Sequence, residues 1–145
     1  VAFEERRDGR VLWRGTGSRA EGDANINDVC ALKLTRLPQT PQQTALFVEA
    51  STGHLNFAAG EASFMDLRVL QLAGGLLTAP QAVFSEAQQT LQGSGPIVFR
   101  SPTAVAYATS FVAHLADGRV EFCGPVQGVL LPSHASHEEP ALPSP

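Results

Sequence analysis

The chain alternates apolar and polar residues over most of its length. "RVLWRGTG" sets Val11 and Trp13 between polar neighbours, and "CALKLTRL" puts Cys30, Leu32 and Leu34 on one side with Lys33 and Thr35 on the other. Alternation with period two marks a strand with one buried face. "PQTPQQT", residues 38–44, is a polar connection whose prolines do not suit a central ladder, and "ALFVEA" resumes the pattern. The stretch "HLNFAAGEASFMDLRVLQLAGG" is ambiguous, because Ala62, Met65, Val69 and Leu72 also fit one face of a helix. Read as a strand, it sets Met65, Leu67 and Val69 against Asp66 and Arg68. The strand reading agrees with its neighbours.

Further on, "GSGP", residues 93–96, reads as a turn between two strands. The last patterned stretch, "SFVAHLADGRVEFCGPVQGVL", reads as a long hairpin about Asp117-Gly118. Small residues recur at equal spacing at Ala20, Ser51 and Ala82, each opening a strand-like run. Such a recurrence predicts repeated two-strand units, none of which can bury its apolar face alone. The predicted fold is therefore all-β: a jelly-roll-like folded antiparallel sheet with two facing layers and open edges. It spans residues 1–131, and residues 132–145, a proline-rich tail without periodicity, are expected to be disordered.

Composition narrows the partners. The 145 residues are 43% hydrophobic, enough for one domain with a core or an apolar cavity. Ten Lys and Arg against fourteen Asp and Glu give a net charge of −4, which sets up no field for nucleic acid. The early arginines, Arg6, Arg7, Arg10, Arg14 and Arg19, are interleaved with Glu4, Glu5 and Asp8, as on a solvated strand face. No run of apolar residues is long enough for a membrane helix.

Candidate chemistry is sparse. Cys30 and Cys123 lack metal-ligand spacing, and strict alternation points them to opposite faces of the sheet, which disfavours a bridge. Of the histidines, His134 and His137 fall in the tail, His114 is expected to face solvent, and His54 has no partner of a His-x-His pair. No nucleophile elbow surrounds Ser94, and no lysine or helix follows "GSGP". The chain reads as a binding protein without metal or cofactor, not an enzyme.

The succession "DGRVLWRGTGSRAEGD", "LLTAPQAVFSEAQQTLQGSGPIVFR" and "ADGRVEFCGPVQGVL" resembles the periplasmic lipopolysaccharide-export bridge family, the LptC-like and OstA-like β-jellyrolls. The resemblance is one of small, apolar and glycine positions across residues 1–131. It implies a domain that holds lipopolysaccharide acyl chains between its layers, receives the lipid from an inner-membrane ABC transporter and passes it to the next periplasmic jellyroll. It also implies a periplasmic location, with an inner-membrane anchor in an N-terminal segment absent from this chain.

The inward parity supplies the trough such a role needs: Val11, Trp13, Leu32, Leu34, Leu55, Phe57, Met65, Leu67, Ile97, Phe99, Phe111, Leu115, Val120 and Phe122. Residues 119–131, with Val126, Val129 and Leu130, would form the partner edge, and the Arg-rich first strand the entry edge. A carbohydrate-binding or adhesion-type sandwich is the alternative. It should expose aromatics on an outer face, whereas Trp13 and Tyr107 fall within the apolar pattern.

Overall fold

A computed structural model describes residues 1–23 and 25–130; the proline-rich tail, with His134 and His137, lies outside them. The chain forms eleven strands: β1 (Ala2–Arg7), β2 (Arg10–Thr16), β3 (Arg19–Gly22), β4 (Ile26–Arg36), β5 (Leu46–Asn56), β6 (Glu61–Leu72), β7 (Gly75–Ser85), β8 (Thr90–Arg100), β9 (Ala104–His114), β10 (Arg119–Cys123) and β11 (Gln127–Leu130). They make one antiparallel sheet in the order β1-β2-β4-β5-β6-β7-β8-β9-β10, with β3 beside β4 and β11 beside β9. The sheet does not close into a barrel. The ambiguous stretch is the end of β5, a turn and β6.

The repeated two-strand units are hairpins stacked side by side. Their turns at 57–60, 86–89 and 115–118 fall at equal intervals and are stitched to their neighbours by backbone bonds. Phe57 N–H donates to Asn25 O at 2.7 Å, Glu86 N–H to Gly60 O at 2.8 Å, and Leu115 N–H to Gln89 O at 2.9 Å.

Strict alternation fails along one line across the sheet. In β4, Val29 and Leu32 are both buried while Cys30 and Ala31 between them are exposed; in β6, Phe64 and Leu67 are buried while Met65 and Asp66 are exposed. Ala31 (φ 52) and Asp66 (φ 53) adopt the left-handed conformation, and Gly95 (φ 102) in β8 also has positive φ. Ala31 and Asp66 each stand opposite a single skipped residue, Ser51 and Pro80, with the register unbroken on either side, whereas β8 carries an extra residue, a bulge, between Ser94 and Ile97; at all three the strand bends and the facing of the side chains beyond it flips. The line continues through Ser51, Pro80 and Thr109, all skipped in the pairing registers. At the two margins it passes through the gap between β2 and β3 and the gap between β10 and β11. We call it the crease.

"GSGP" is thus not a turn: it lies inside β8 at the crease, where a bulge admits proline in a strand. Residues on opposite sides of the crease meet face to face. Phe3 lies 6.1 Å from Phe57, Trp13 packs edge-on against Phe84 at 4.9 Å, and Phe99 lies 5.6 Å from Phe122. None of these pairs is hydrogen-bonded strand to strand; each joins the two layers. Ala31 carries strain that glycine would not, roughly 1–2 kcal/mol against the roughly 0.5–1 kcal/mol glycine costs in a strand. Ala31→Gly should therefore raise stability by about 0.5–1 kcal/mol in urea unfolding, and Ala31→Val should lower it. Equal stability of all three would show that residue 31 does not adopt the left-handed conformation.

Candidate functional site

The interior between the layers is the large apolar core that the described residues enclose. Trp13, Leu32, Leu34, Leu55, Leu67, Ile97, Phe111 and Leu115 are buried in it, and Phe57, Phe99, Val120 and Phe122 pack half-buried against its margins. Small residues separate large ones across the strands: Val29, Gly53, Phe64, Ala82, Gly93, Phe111 and Phe122 form one cross-strand row, with Gly53 between Val29 and Phe64 and the pair Ala82 and Gly93 between Phe64 and Phe111. The rings therefore fit beside residues with little or no side chain, and the layers touch.

Four expectations need correction, three of them because a strand breaks its alternation. Met65 is 52% exposed and faces outward, since the left-handed backbone at Asp66 reverses the facing and hands its place to Phe64. Val11 lies outside the core; Leu12, skipped between Arg6–Val11 and Glu5–Trp13 in the β1–β2 register, is buried in its stead. Cys30 and Cys123 are on the same outer face, not opposite ones, because the left-handed backbone at Ala31 turns Cys30 out. They lie at the ends of a row through Thr52, Met65, Gln81, Ser94 and Ser110, with β5–β9 between them, and both are free. Tyr107 is 44% exposed and does not belong to the interior.

The edges are as open as the topology allows. β1 is the outermost strand on one side; β10 and β11 share the other, each pairing only with β9. Val126 precedes β11 and Leu130 ends it, 49% and 85% exposed, and Val129 pairs with Val105 through the backbone. On β1–β3 four of the five arginines are balanced locally: Arg6 and Arg14 reach Glu4 at 3.0 and 3.7 Å, Arg7 reaches Glu5 at 3.4 Å, and Arg19 reaches Glu21 at 3.1 Å, while Arg10 donates to the Gln39 carbonyl at 3.3 Å.

One part of the site escaped the sequence reading. Arg36, at the end of β4, is 2% exposed and is the buried charged residue of the described core. Its Nη2 donates to Glu86 Oε2 at 2.8 Å and to Gln89 Oε1 at 3.2 Å, its Nε to Glu86 Oε1 at 3.4 Å, and its Nη1 to Gln43 Oε1 at 3.3 Å. The Trp13 side chain lies beside Glu86, and the guanidinium lies 6.0 Å from the Trp13 ring centroid. Burial opposes ionisation of Glu86, but the bonds and charge of Arg36 outweigh it and hold the carboxyl below the usual glutamate range. Glu5 on β1 is pushed the other way, chiefly by burial, with the nearby charge of Glu86 adding to it. Beside this cluster, Glu5, Trp13, Phe57, Phe84 and Glu86 line a void of about 20 Å³, room for one water.

A signal for Arg36 was present, since "CALKLTRL" puts it in phase with Leu32 and Leu34. Its partners carried none: Glu86 lies 50 residues away in a turn.

His54 Nδ1 lies 2.7 Å from Asp28 and His114 Nε2 lies 2.8 Å from Glu121, both outward cross-strand pairs. Among the described residues, no group of three or more His, Cys, Asp or Glu is placed to hold a metal ion. No protein-family model and no curated protein matches the sequence.

Proposed function

We propose that this domain is a periplasmic lipid-binding bridge of lipopolysaccharide export. In this reading it takes lipid from an inner-membrane ABC transporter and hands it to the next jellyroll through edge-to-edge strand pairing. The supporting observation is a single open sheet, folded onto a continuous apolar interior and ended on both sides by strands with a free edge. Where the layers meet through Phe3–Phe57, Trp13–Phe84 and Phe99–Phe122, the contacts are apolar and non-directional. An acyl chain entering between the layers replaces one apolar contact with another, and each CH₂ it buries contributes about 0.8 kcal/mol. Free N–H and C=O groups on β1, β10 and β11 offer a partner strand its hydrogen bonds.

The outward Phe47 and Tyr107 favour the alternative, a carbohydrate-binding or adhesion-type sandwich. They stand on β5 and β9 with three strands between them, so they form no common platform.

A photoreactive residue placed singly at Phe57, Phe99 and Phe122, with Met65 and Arg68 as outward controls, distinguishes the two. Crosslinks to lipopolysaccharide at the first three positions alone are expected. No crosslink at any of them, in folded protein, would leave the interior as plain core and favour the sandwich reading.

A further inference from the structure

We infer that the Arg36–Glu86 cluster is a latch across the mouth of the interior, and that the layers part only when it opens. This deepens the lipid-binding reading and rests on it for its purpose, though not for its geometry. Arg36 and Gln43 lie on one side of the crease, Glu86 and Gln89 on the other. Among the described residues, the side-chain hydrogen bonds that join the two layers away from the crease all belong to this cluster.

The distinction matters because the other contacts between layers are apolar. An incoming apolar chain can substitute for those contacts as it enters. It has nothing to offer a guanidinium and a carboxylate, which must either stay together or be rehydrated together. The apolar contacts thus permit opening, and the polar cluster decides whether it happens. Gln43 extends the tie into the 37–45 loop, because its Oε1 also accepts from the Gln39 N–H at 2.9 Å. That loop therefore moves with Arg36 when the pair separates.

Trp13 is the only tryptophan in the chain, is buried, and lines the void beside Glu86 with the Arg36 guanidinium 6.0 Å from its ring centroid, so its fluorescence reports the mouth directly. The test is acrylamide quenching of Trp13 in the full chain, comparing wild type with Glu86→Gln and Arg36→Lys. Glu49→Gln, which removes the exposed pair with Arg68, serves as control. Each latch variant should increase quencher access about tenfold, the effect of weakening one charge-assisted hydrogen bond, with the far-ultraviolet β signal unchanged. The control should match wild type. Two folded variants give two independent chances to see the effect, and Trp13 as shielded in both as in wild type would overturn the latch.

The same proteins carry the crosslinking experiment, which keeps the two ideas apart. Open variants that never crosslink to lipopolysaccharide would sink the lipid reading and leave the latch standing. Interior crosslinks in wild type, with Trp13 unaffected in both variants, would sink the latch alone.

Discussion

Arg36→Ala is expected to lower the unfolding free energy by about 3–5 kcal/mol, read as a lower urea midpoint, because it strands a nearly buried carboxylate. The Glu86 side chain is 11% exposed and faces Arg36 at 2.8 Å. Without the guanidinium, Glu86 keeps the desolvation cost of burial and loses the partner that offset it. Replacing both residues by apolar ones of similar volume, Arg36→Met with Glu86→Leu, should cost far less, since no charge is left unpaired. A double variant as unstable as Arg36→Ala would show that the cluster supports the fold by shape rather than by charge.

The pH dependence of this difference follows from the direction of each shift. Glu86 has a folded value below its ordinary 4.5, so its contribution is fully present above that value and disappears as pH falls through the lowered one. Glu5 is raised above 4.5, so its ionisation on raising pH costs stability, and acidification relieves that cost first. In Arg36→Ala, Glu86 titrates at higher pH than in wild type. The stability gap between the two proteins should therefore narrow on acidification below the ordinary glutamate value. A gap that stays constant down to pH 3 would mean that Glu86 is not the group left unpaired.

Phe111→Ala is the second large effect expected, about 3–5 kcal/mol in the same assay. Phe111 is fully buried, between Gly93 and Phe122 in the cross-strand row. Its ring lies over Gly93, where an added Cβ would stand 2.7 Å from the ring edge and 2.5 Å from the Gln81 carbonyl oxygen. Gly93 has no side chain to fill the space, and Phe122, the partner on β10, is held in its contact with Phe99, so most of the cavity persists and its cost with it. Met65→Ala on the outer face should stay within about 0.5 kcal/mol. A small loss at Phe111 would show that the layers can close over the gap, and hence that the interior is more adaptable than its packing implies.

Much of the fold was legible because period-two alternation is local and survives wherever one face of a strand is buried. Trp13, Leu32, Leu34, Leu55, Leu67, Ile97, Phe111 and Leu115 could be placed inside from their immediate neighbours alone. The hairpin about Asp117-Gly118 was readable for the same reason, with β9 and β10 paired on either side of a four-residue turn.

What tertiary structure decided is the crease and everything that depends on it. Where a strand bends is set by how the whole sheet folds, and nothing about an alanine at position 31 announces a left-handed backbone, while an aspartate at 66 tolerates one without requiring it. Yet each such residue reverses the facing of all that follows, which is why Met65 and Cys30 turned out and Phe64 and Val29 turned in. The latch was hidden for a related reason. Alternation could put Arg36 inside, but its partner Glu86 sits in a distant turn that meets it only because the sheet folds across the crease. Local pattern determined which residues could be buried; the folding of one layer over the other determined what each would touch.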